Sequence, residues 1–410
     1  MEMGFTDDCF TDGSRPSVNP SVLFSPTELI AITDGMNPSL DLSENNFGGS
    51  LPDCLGNLSS LQLLDVSSNQ FTENIASGPL TNLISIESLS LSNNLFEVPI
   101  SMKPFMNHSS LKFFSSENNR LVTEPMSFHD LISKFQLVFF RFYTYSTTLE
   151  AVNVEIPNFL YHQYDLRVLD LSYNNIIGIE NSVVGTLQLQ DHPNPNMKVI
   201  DISNNHMNGQ IPNNICLIFP NLWSLTMAEN RFTGCIPSCL GNISSLGILD
   251  LSNNQLSTVK LKQLTTITFL KLSNNNLGGQ IPTSVFNSSR LYFLYLNGML
   301  PRWFFNLKHI FTIDLSKNHF NGPIPVDFCK LDQLEYLDLS ENNLSASIPS
   351  CSDPPQITHV HLSNNRLSGP LTNGFYNSSS LITIPLTIMI NPLRKVSLCL
   401  MMNASFSFRG

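Results

Sequence analysis

Residues Leu246–Leu256 read LGILDLSNNQL, and residues Leu334–Leu344 read LEYLDLSENNL. Both follow one frame, L-x-x-L-x-L-x-x-N-x-L. The central L-x-L alternates with period two, which marks a short strand with one buried face. The asparagine closes that strand. Its side-chain amide carries two donors and an acceptor, enough to serve backbone groups of more than one turn.

The same frame recurs along the chain. Together with Asn254 and Asn342 it places Asn45, Asn69, Asn94, Asn119, Asn174, Asn205, Asn230, Asn275, Asn318 and Asn365 at equivalent positions. Most neighbours are about 24 residues apart. Two gaps are about double, and each holds a degenerate copy: Leu137, Phe140 and Phe142 in one, Leu291, Leu294 and Leu296 in the other. Leu381, Ile384 and Leu386 begin a further copy. The expected organisation is a non-repeat segment over 1–38, roughly fifteen coils over 39–386, and an irregular tail over 387–410. Degenerate coils are expected near 122–165, 176–196 and 297–309. The aromatic-rich stretch Val122–Tyr164 reads as one of these coils rather than a protruding island, because Glu155-Ile156-Pro157 returns in phase.

Coils of this kind stack their strands in parallel. No coil buries its leucines alone, so stability comes from neighbours. Stacking also turns the repeated asparagine into a buried ladder. Breaking one rung strands backbone groups at a cost of about 1–3 kcal/mol. Most copies continue with G-x-[IL]-P, as at Gly49–Pro52, Gly209–Pro212, Gly234–Pro237, Gly279–Pro282 and Gly322–Pro325. The glycine suits a sharp turn and the proline ends strand pairing. One copy has Ala346 for the glycine and another has Thr372 for the proline. A short helical turn is expected next, as at Ser284–Asn287.

The full motif, L-x-x-L-x-L-S-x-N-x-L-x-G-x-I-P, resembles the plant-specific leucine-rich repeat. Its wider phrasing, in Leu166–Asn174 (LRVLDLSYN), Phe232–Asn242 (FTGCIPSCLGN) and Ile313–Pro325 (IDLSKNHFNGPIP), resembles the ectodomain of plant leucine-rich-repeat receptor-like proteins. The resemblance implies an α/β-type repeat solenoid, a horseshoe with a parallel β-sheet on its concave face. It also implies a ligand-recognition module on the extracellular side of the cell membrane. There it binds a peptide or protein and signals with a co-receptor kinase in defence or development. Secreted inhibitors of cell-wall-degrading enzymes share the repeat and are the alternative. An enzyme with an unrecognised site is a weaker third reading.

Composition narrows the field further. Over 410 residues the net charge is −11, charged residues are 13% and hydrophobic residues 42%. No Lys/Arg-rich run appears, which argues against a nucleic-acid partner. The first twenty residues carry Asp7, Asp8 and Asp12 and no apolar core, so no signal peptide is readable. No apolar run is long enough for a membrane span, since Leu381–Met402 is broken by Pro385, Asn391, Pro392, Arg394 and Lys395. P-loop, kinase, G-x-S-x-G and H-E-x-x-H motifs are missing, and neither enzymatic activity nor a cofactor is expected.

The solvent face of the strands carries the binding candidates. Asp41, Asp65, Asp170, Asp201, Asp250, Asp314 and Asp338 stand between the paired leucines. They read more simply as the repeat's habitual D-L-S, pairing with neighbouring turns, than as a stripe for a basic peptide. Trp223, Phe269, Phe293, Tyr295, Tyr336, His359 and His361 make the same face aromatic between 223 and 361, and aromatic side chains dominate binding hot spots. His359-x-His361 has no further ligand near in sequence, so no metal is expected.

Asn57, Asn107, Asn242, Asn287 and Asn377 head N-x-S/T sequons, each four residues before the first leucine of a strand, on the exposed edge of a coil. Asn343, also a sequon, follows a ladder asparagine and fits less well. Cys216 and Cys329 fall four residues after their I-P prolines, and Cys239 and Cys351 two residues after those of the next coils. That recurrence points to disulfides Cys216–Cys239 and Cys329–Cys351. Cys9, Cys54, Cys235 and Cys399 have no equally clear partner, and that of Cys54 is expected in coils preceding this chain.

Overall fold

A computed structural model describes residues 38–122, 133–143, 156–174, 176, 192–259, 266–276, 291–295, 309–316, 321–324, 326–350, 357–370, 385–389 and 395–399. The chain divides into two compact units. The first is Met1–Asn208 with Leu217–Leu222, and the second is Gly209–Cys216 with Trp223–Gly410.

In the first unit seven parallel strands lie side by side in chain order: Ser39–Asp41, Leu63–Asp65, Ser88–Ser90, Phe113–Glu117, Phe139–Tyr143, Val168–Asp170 and Val199–Asp201. In the second, seven more do the same: Ser224–Thr226, Ile248–Asp250, Phe269–Lys271, Phe293–Tyr295, Thr312–Asp314, Tyr336–Asp338 and His359–His361. Register is strict, so equivalent residues of successive coils face each other, for example Leu64↔Leu89 and Leu249↔Leu270. The residue that occupies the repeat's first strand-leucine position points inward. Leu64, Leu89, Phe114, Phe140, Leu169 and Ile200 are at most 1% exposed, as are Leu225, Leu249, Leu270, Leu294, Ile313 and Leu337. Each such burial is worth about 1.5–3 kcal/mol. The copy at 137–142 is a full member of the sheet, with Phe139 and Phe140 in register with Phe113 and Phe114. Phenylalanine substitutes there for leucine, and stacked rings such as Phe114–Phe140, 5.6 Å between centroids, fill the space.

The asparagines do what their chemistry permits. Asn94 Nδ2 donates to Leu91 O (3.1 Å) and Ser92 O (3.3 Å) in its own coil and to Val66 O (2.9 Å) in the coil before. Its Oδ1 accepts from Phe71 N at 3.0 Å, again one coil back. Asn254 repeats the set in the second unit, with Met227 O (2.9 Å), Leu251 O, Ser252 O and Phe232 N (2.9 Å). Asn69, Asn119, Asn205, Asn275, Asn342 and Asn365 also donate one coil back. Asn174 reaches Phe142 O in the coil before. Asn230 bonds Met227 O and Ala228 O, and the exposed Asn45 bonds Leu42 O and Ser43 O. Asn318 lies outside the described residues.

The residue just before each described rung is left-handed. Glu44, Ser68, Asn93, Asn118, Tyr173, Asn204, Glu229, Asn253, Asn274, Glu341 and Asn364 have φ between 52° and 56°. Asparagine enters that region most easily among residues with a side chain, which gives the first Asn of the recurring S-N-N its purpose. Beyond the rung, short strands make a second set of parallel pairs. These include Gly48–Gly49 with Gln70–Phe71, Glu97–Pro99 with Arg120–Val122, and Asn321–Pro323 with Asn343–Ala346. They have no apolar alternation, so the sequence pattern does not announce them. Turns of 3₁₀ helix follow the prolines, as at Asp53–Asn57 and Ser238–Asn242. The stretch Ser284–Asn287 lies outside the described residues.

The tail differs from expectation. Pro385–Met389 and Lys395–Cys399 pair antiparallel, Thr387 facing Ser397 and Ile388 facing Val396. The copy expected from Leu381, Ile384 and Leu386 therefore does not extend the parallel sheet, and 387–410 is not wholly irregular. The β-branched residues Thr387, Ile388 and Val396 favour strand, and a chain reversal between the two runs allows pairing at once. Among the described residues no helix is long and apolar enough to cross a membrane.

Two outcomes follow from this framework. Asn254→Ala, which removes a rung, lowers the denaturant midpoint by the equivalent of about 1–3 kcal/mol, whereas Asn343→Ala at an exposed neighbour stays within about 0.5 kcal/mol. Equal shifts would show the frame to be misplaced. Ala346 occupies the glycine position of the motif with φ 65°. Ala346→Gly is expected to stabilise by about 0.5–1 kcal/mol through relief of the left-handed alanine. Gly322→Ala is expected to destabilise by a similar amount, because a Cβ at Gly322 (φ +80°) meets nothing within 4 Å and only the backbone pays. Chemical denaturation of both variants reads the opposite signs.

Candidate functional site

Parallel register converts sequence positions into rows of side chains on the solvent face. One row follows the residue just before each strand. In the second unit it runs Trp223, Gly247, Thr268, Tyr292, Phe311, Glu335 and Thr358, each N–H bonding to the preceding member's carbonyl at 2.8–3.1 Å. The next rows come from the first and third strand residues.

This geometry sorts the aromatic candidates. Phe269 faces Phe293 and Lys271 faces Tyr295 across neighbouring strands. The strand backbone at Phe293 and Tyr295 is described, and their side chains lie outside the described set. Tyr336 faces His359, with ring centroids 6.0 Å from His359 and 5.6 Å from His361. Between these groups stand Thr312 and Asp314, so the aromatic surface is not continuous. Trp223 belongs to the other row and is 47% exposed. Its indole lies over Gly247, where a Cβ would meet Trp223 Nε1 at 3.0 Å. The structure adds two residues to this row that the sequence reading passed over, Tyr292 and Phe311, with centroids 5.6 Å apart. Their signal was present as position, one residue before the strand, where Trp223 already stood.

The aspartates bond within their own coil, and three of them also reach a neighbouring coil. Oδ1 of Asp170, Asp201 and Asp250 accepts both the N–H and the hydroxyl of the serine two residues on, as does that of Asp41. Asp65, Asp314 and Asp338 accept the corresponding N–H. This partner lies in the same coil, because the D-L-S spacing closes an Asx turn at the strand end. The second oxygen remains for lateral contacts. Asp250 Oδ2 lies 3.9 Å from Lys271 Nζ, and Asp338 Oδ2 lies 3.3 Å from His361 Nδ1.

In the first unit these contacts build a cluster that sequence reading did not single out. Arg141 Nη1 bonds Glu117 Oε1 at 2.9 Å, its Nε lies 3.2 Å from Asp170 Oδ2, and its guanidinium sits 5.2 Å from the Phe139 ring centroid. Tyr143 Oη donates to Glu117 Oε2 at 2.7 Å. Burial raises the Asp170 carboxyl above its usual range, and the bonds from Ser172 and the charge of Arg141 oppose the shift. Arg141 and Tyr143 sit in the degenerate coil, where departure from the consensus hides their equivalence to other face positions.

Cys216 and Cys239 are bonded, with Cα atoms 5.9 Å apart, inside the range a disulfide needs. Cys329 is also disulfide-bonded, while Cys351 lies outside the described residues. Cys54 is disulfide-bonded as well, which corrects the expectation that its partner lies beyond this chain. That partner falls outside the described residues. Cys235 is a free thiol. Asn57, Asn107 and Asn242 are exposed at or beside the 3₁₀ turns, and Asn287 and Asn377 lie outside the described residues. Among the described residues no group of three or more His, Cys, Asp or Glu side chains is placed to hold a metal ion.

Leucine-rich-repeat family models match residues 39–58, 165–187, 196–218, 266–288 and 290–344. Cuscuta receptor 1 of Solanum lycopersicum is 36% identical over 399 residues, covering 85% of this chain and 35% of that protein. Receptor-like protein 13 of Arabidopsis thaliana is 33% identical over 181 residues, covering 39% of this chain and 16% of that protein. The chain therefore spans about a third or less of the length of these relatives. Among solved structures, PEPR1–AtPEP1 matches with TM-score 0.58 at 22% identity over 86% of this chain and 55% of that one. A Leptospira interrogans leucine-rich-repeat protein matches with TM-score 0.57 at 23% identity over 81% of this chain and 79% of that one. At these identities the structural matches speak for the fold alone.

The cysteine geometry generates its own test. Peptide mapping of oxidised, unreduced protein is expected to recover the Cys216–Cys239 and Cys329–Cys351 crosslinks. Finding those four thiols alkylatable before reduction would reject both pairings.

Proposed function

This chain belongs to the leucine-rich-repeat receptor-like proteins of plants, and from that premise we propose that it is the ligand-recognition part of such a receptor. It faces the extracellular space, binds a peptide or protein across its parallel sheet, and passes the signal to a co-receptor kinase. The observation that carries the reading is the fixed aromatic surface at Tyr336, His359 and His361. Three rings on two adjacent strands, spaced by the sheet at about 4.8 Å, offer contact area with little side-chain entropy to lose. Trp223, Phe269, Phe293 and Tyr295 extend the candidate surface. The reading takes the chain as a binding module, not an enzyme, and the sequons Asn57, Asn107, Asn242, Asn287 and Asn377 as glycan sites clear of the sheet.

The test is a binding titration of alanine variants with the ligand that affinity capture identifies. Tyr336→Ala is expected to weaken binding by at least about 2 kcal/mol, the scale of a hot spot. Asp65→Ala, whose carboxylate is committed to its own strand end, is expected to cost less. Wild-type affinity in Tyr336→Ala with a clear loss in Asp65→Ala would move recognition to the first unit's acidic positions.

A further inference from the structure

Among the described residues, five lysine or arginine side chains stand on the solvent-facing rows of the two units: Lys112, Arg141, Arg167, Lys198 and Lys271. Three meet acids. Lys112 Nζ lies 2.8 Å from Glu87, Arg141 contacts Glu117 and Asp170, and Lys271 approaches Asp250. Arg167 and Lys198 are exposed, and among the described residues neither has an ion pair or a side-chain hydrogen bond. In a chain of net charge −11, two adjacent cations left without an acid are a departure that local neutralisation does not explain.

Their placement is fixed by the backbone. Lys198 N bonds Arg167 O at 2.8 Å, and the residues that follow them, Val168 and Val199, face each other in register. The two side chains therefore leave neighbouring strands about 4.8 Å apart, a separation that one oxyanion spans. Arginine presents a planar fork to a carboxylate and lysine a point charge. Beside them runs an apolar strip, with Phe139 buried and Val168 and Val199 half-buried. Beyond that strip, three residues on, stand Asp170 and Asp201, about 10 Å from the cations. Asp170 is already paired with Arg141 and Asp201 is bonded by Ser203, so the cations without an acid lie at the Arg167–Lys198 edge. Asp165, exposed two residues before Arg167, is the nearest acid on the same coil and does not pair with it.

We infer that Arg167 and Lys198 form a clamp for a peptide carboxylate that carries an apolar side chain next to it. The inference rests on reading the chain as a peptide-binding module, and it names the ligand chemistry of the first unit's face. It does not involve the aromatic surface around Tyr336.

The probe is a fluorescein-labelled hexapeptide alternating Glu and Leu, with blocked ends, titrated against the full chain by anisotropy. The wild type is expected to bind at low salt and to weaken steeply by about 0.3 M salt, where exposed charges are screened. Arg167→Gln with Lys198→Gln is expected to lower affinity at least tenfold and to flatten that salt dependence. Arg120→Gln, an exposed cation on a strand of the other, non-sheet-face pairing, is expected to leave both unchanged. Melting temperatures of all variants are expected to match wild type, since the substituted side chains are exposed.

Three results would overturn the clamp. They are no binding of the acidic probe by the wild type, equal binding by the double variant, and an equal loss in Arg120→Gln. Tighter, clamp-dependent binding of a polyuronate oligosaccharide would replace the peptide with a glycan, and equal binding of hexaglutamate would remove the apolar strip. Tyr336→Ala is expected to leave probe binding intact, so a failed clamp and a failed aromatic surface give different patterns.

Discussion

A buried asparagine amide that bonds two coils at once is the constraint on which the structure depends. At Asn94 the amide nitrogen meets three carbonyls and the amide oxygen meets Phe71 N–H. None of these backbone groups has water as an alternative, and an unpaired one costs about 1–3 kcal/mol. Asparagine is short and carries two donors and an acceptor, which lets it close the set. The left-handed residue before it supplies the turn that brings the amide inward. Leucine burial provides most of the free energy, but it is non-directional. The ladder fixes which leucine of one coil meets which leucine of the next.

Register, once set, determines what the face can do. Face residues carry no burden of core packing, so charges and rings can vary from coil to coil without disturbing the sheet. That freedom shows as local neutralisation at Arg141 with Glu117 and Asp170, as aromatic contacts around Tyr336, and as the unpaired neighbours Arg167 and Lys198. Each surface is a set of residues distant in sequence, held at strand spacing by the same backbone geometry. Rigid presentation of this kind lowers the entropy lost on binding.

The repeat frame, the strand positions and the ladder could be read from residues because each has a chemical requirement that recurs. Other features could not. The second row of strand pairs uses backbone groups of residues such as Gly48 and Asn321, which carry no hydrophobic pattern. The left-handed positions were masked by tolerance, since Glu44, Tyr173 and Glu341 occupy them as well as asparagine. Where Leu83, Phe219 and Ile243 fill the buried edge of their coils, three other coils place His108, Gln163 and Asn194 there, all buried. Gln163 is satisfied by Leu137 N–H at 2.7 Å and Ser133 Oγ at 2.8 Å. Burial pushes the His108 imidazole below its ordinary range. A polar residue at an apolar position looks like a surface residue until its partners, up to 31 residues away, are in view. At the binding face the limit is different: nothing in the repeat's chemistry demands a given side chain there, so sequence reveals candidates but not which of them share a row.

Amide hydrogen exchange of Phe71 tests the ladder most directly. Its N–H bonds a side chain, Asn94 Oδ1, and not a strand partner. In the wild type it is expected to exchange as slowly as the amides of the neighbouring core strands. In Asn94→Ala it is expected to exchange at least about tenfold faster, in line with the loss of one buried bond, while amides several coils away in the same unit keep their protection. Unchanged protection of Phe71 in Asn94→Ala would contradict the account, because the backbone would then hold its register without the asparagine.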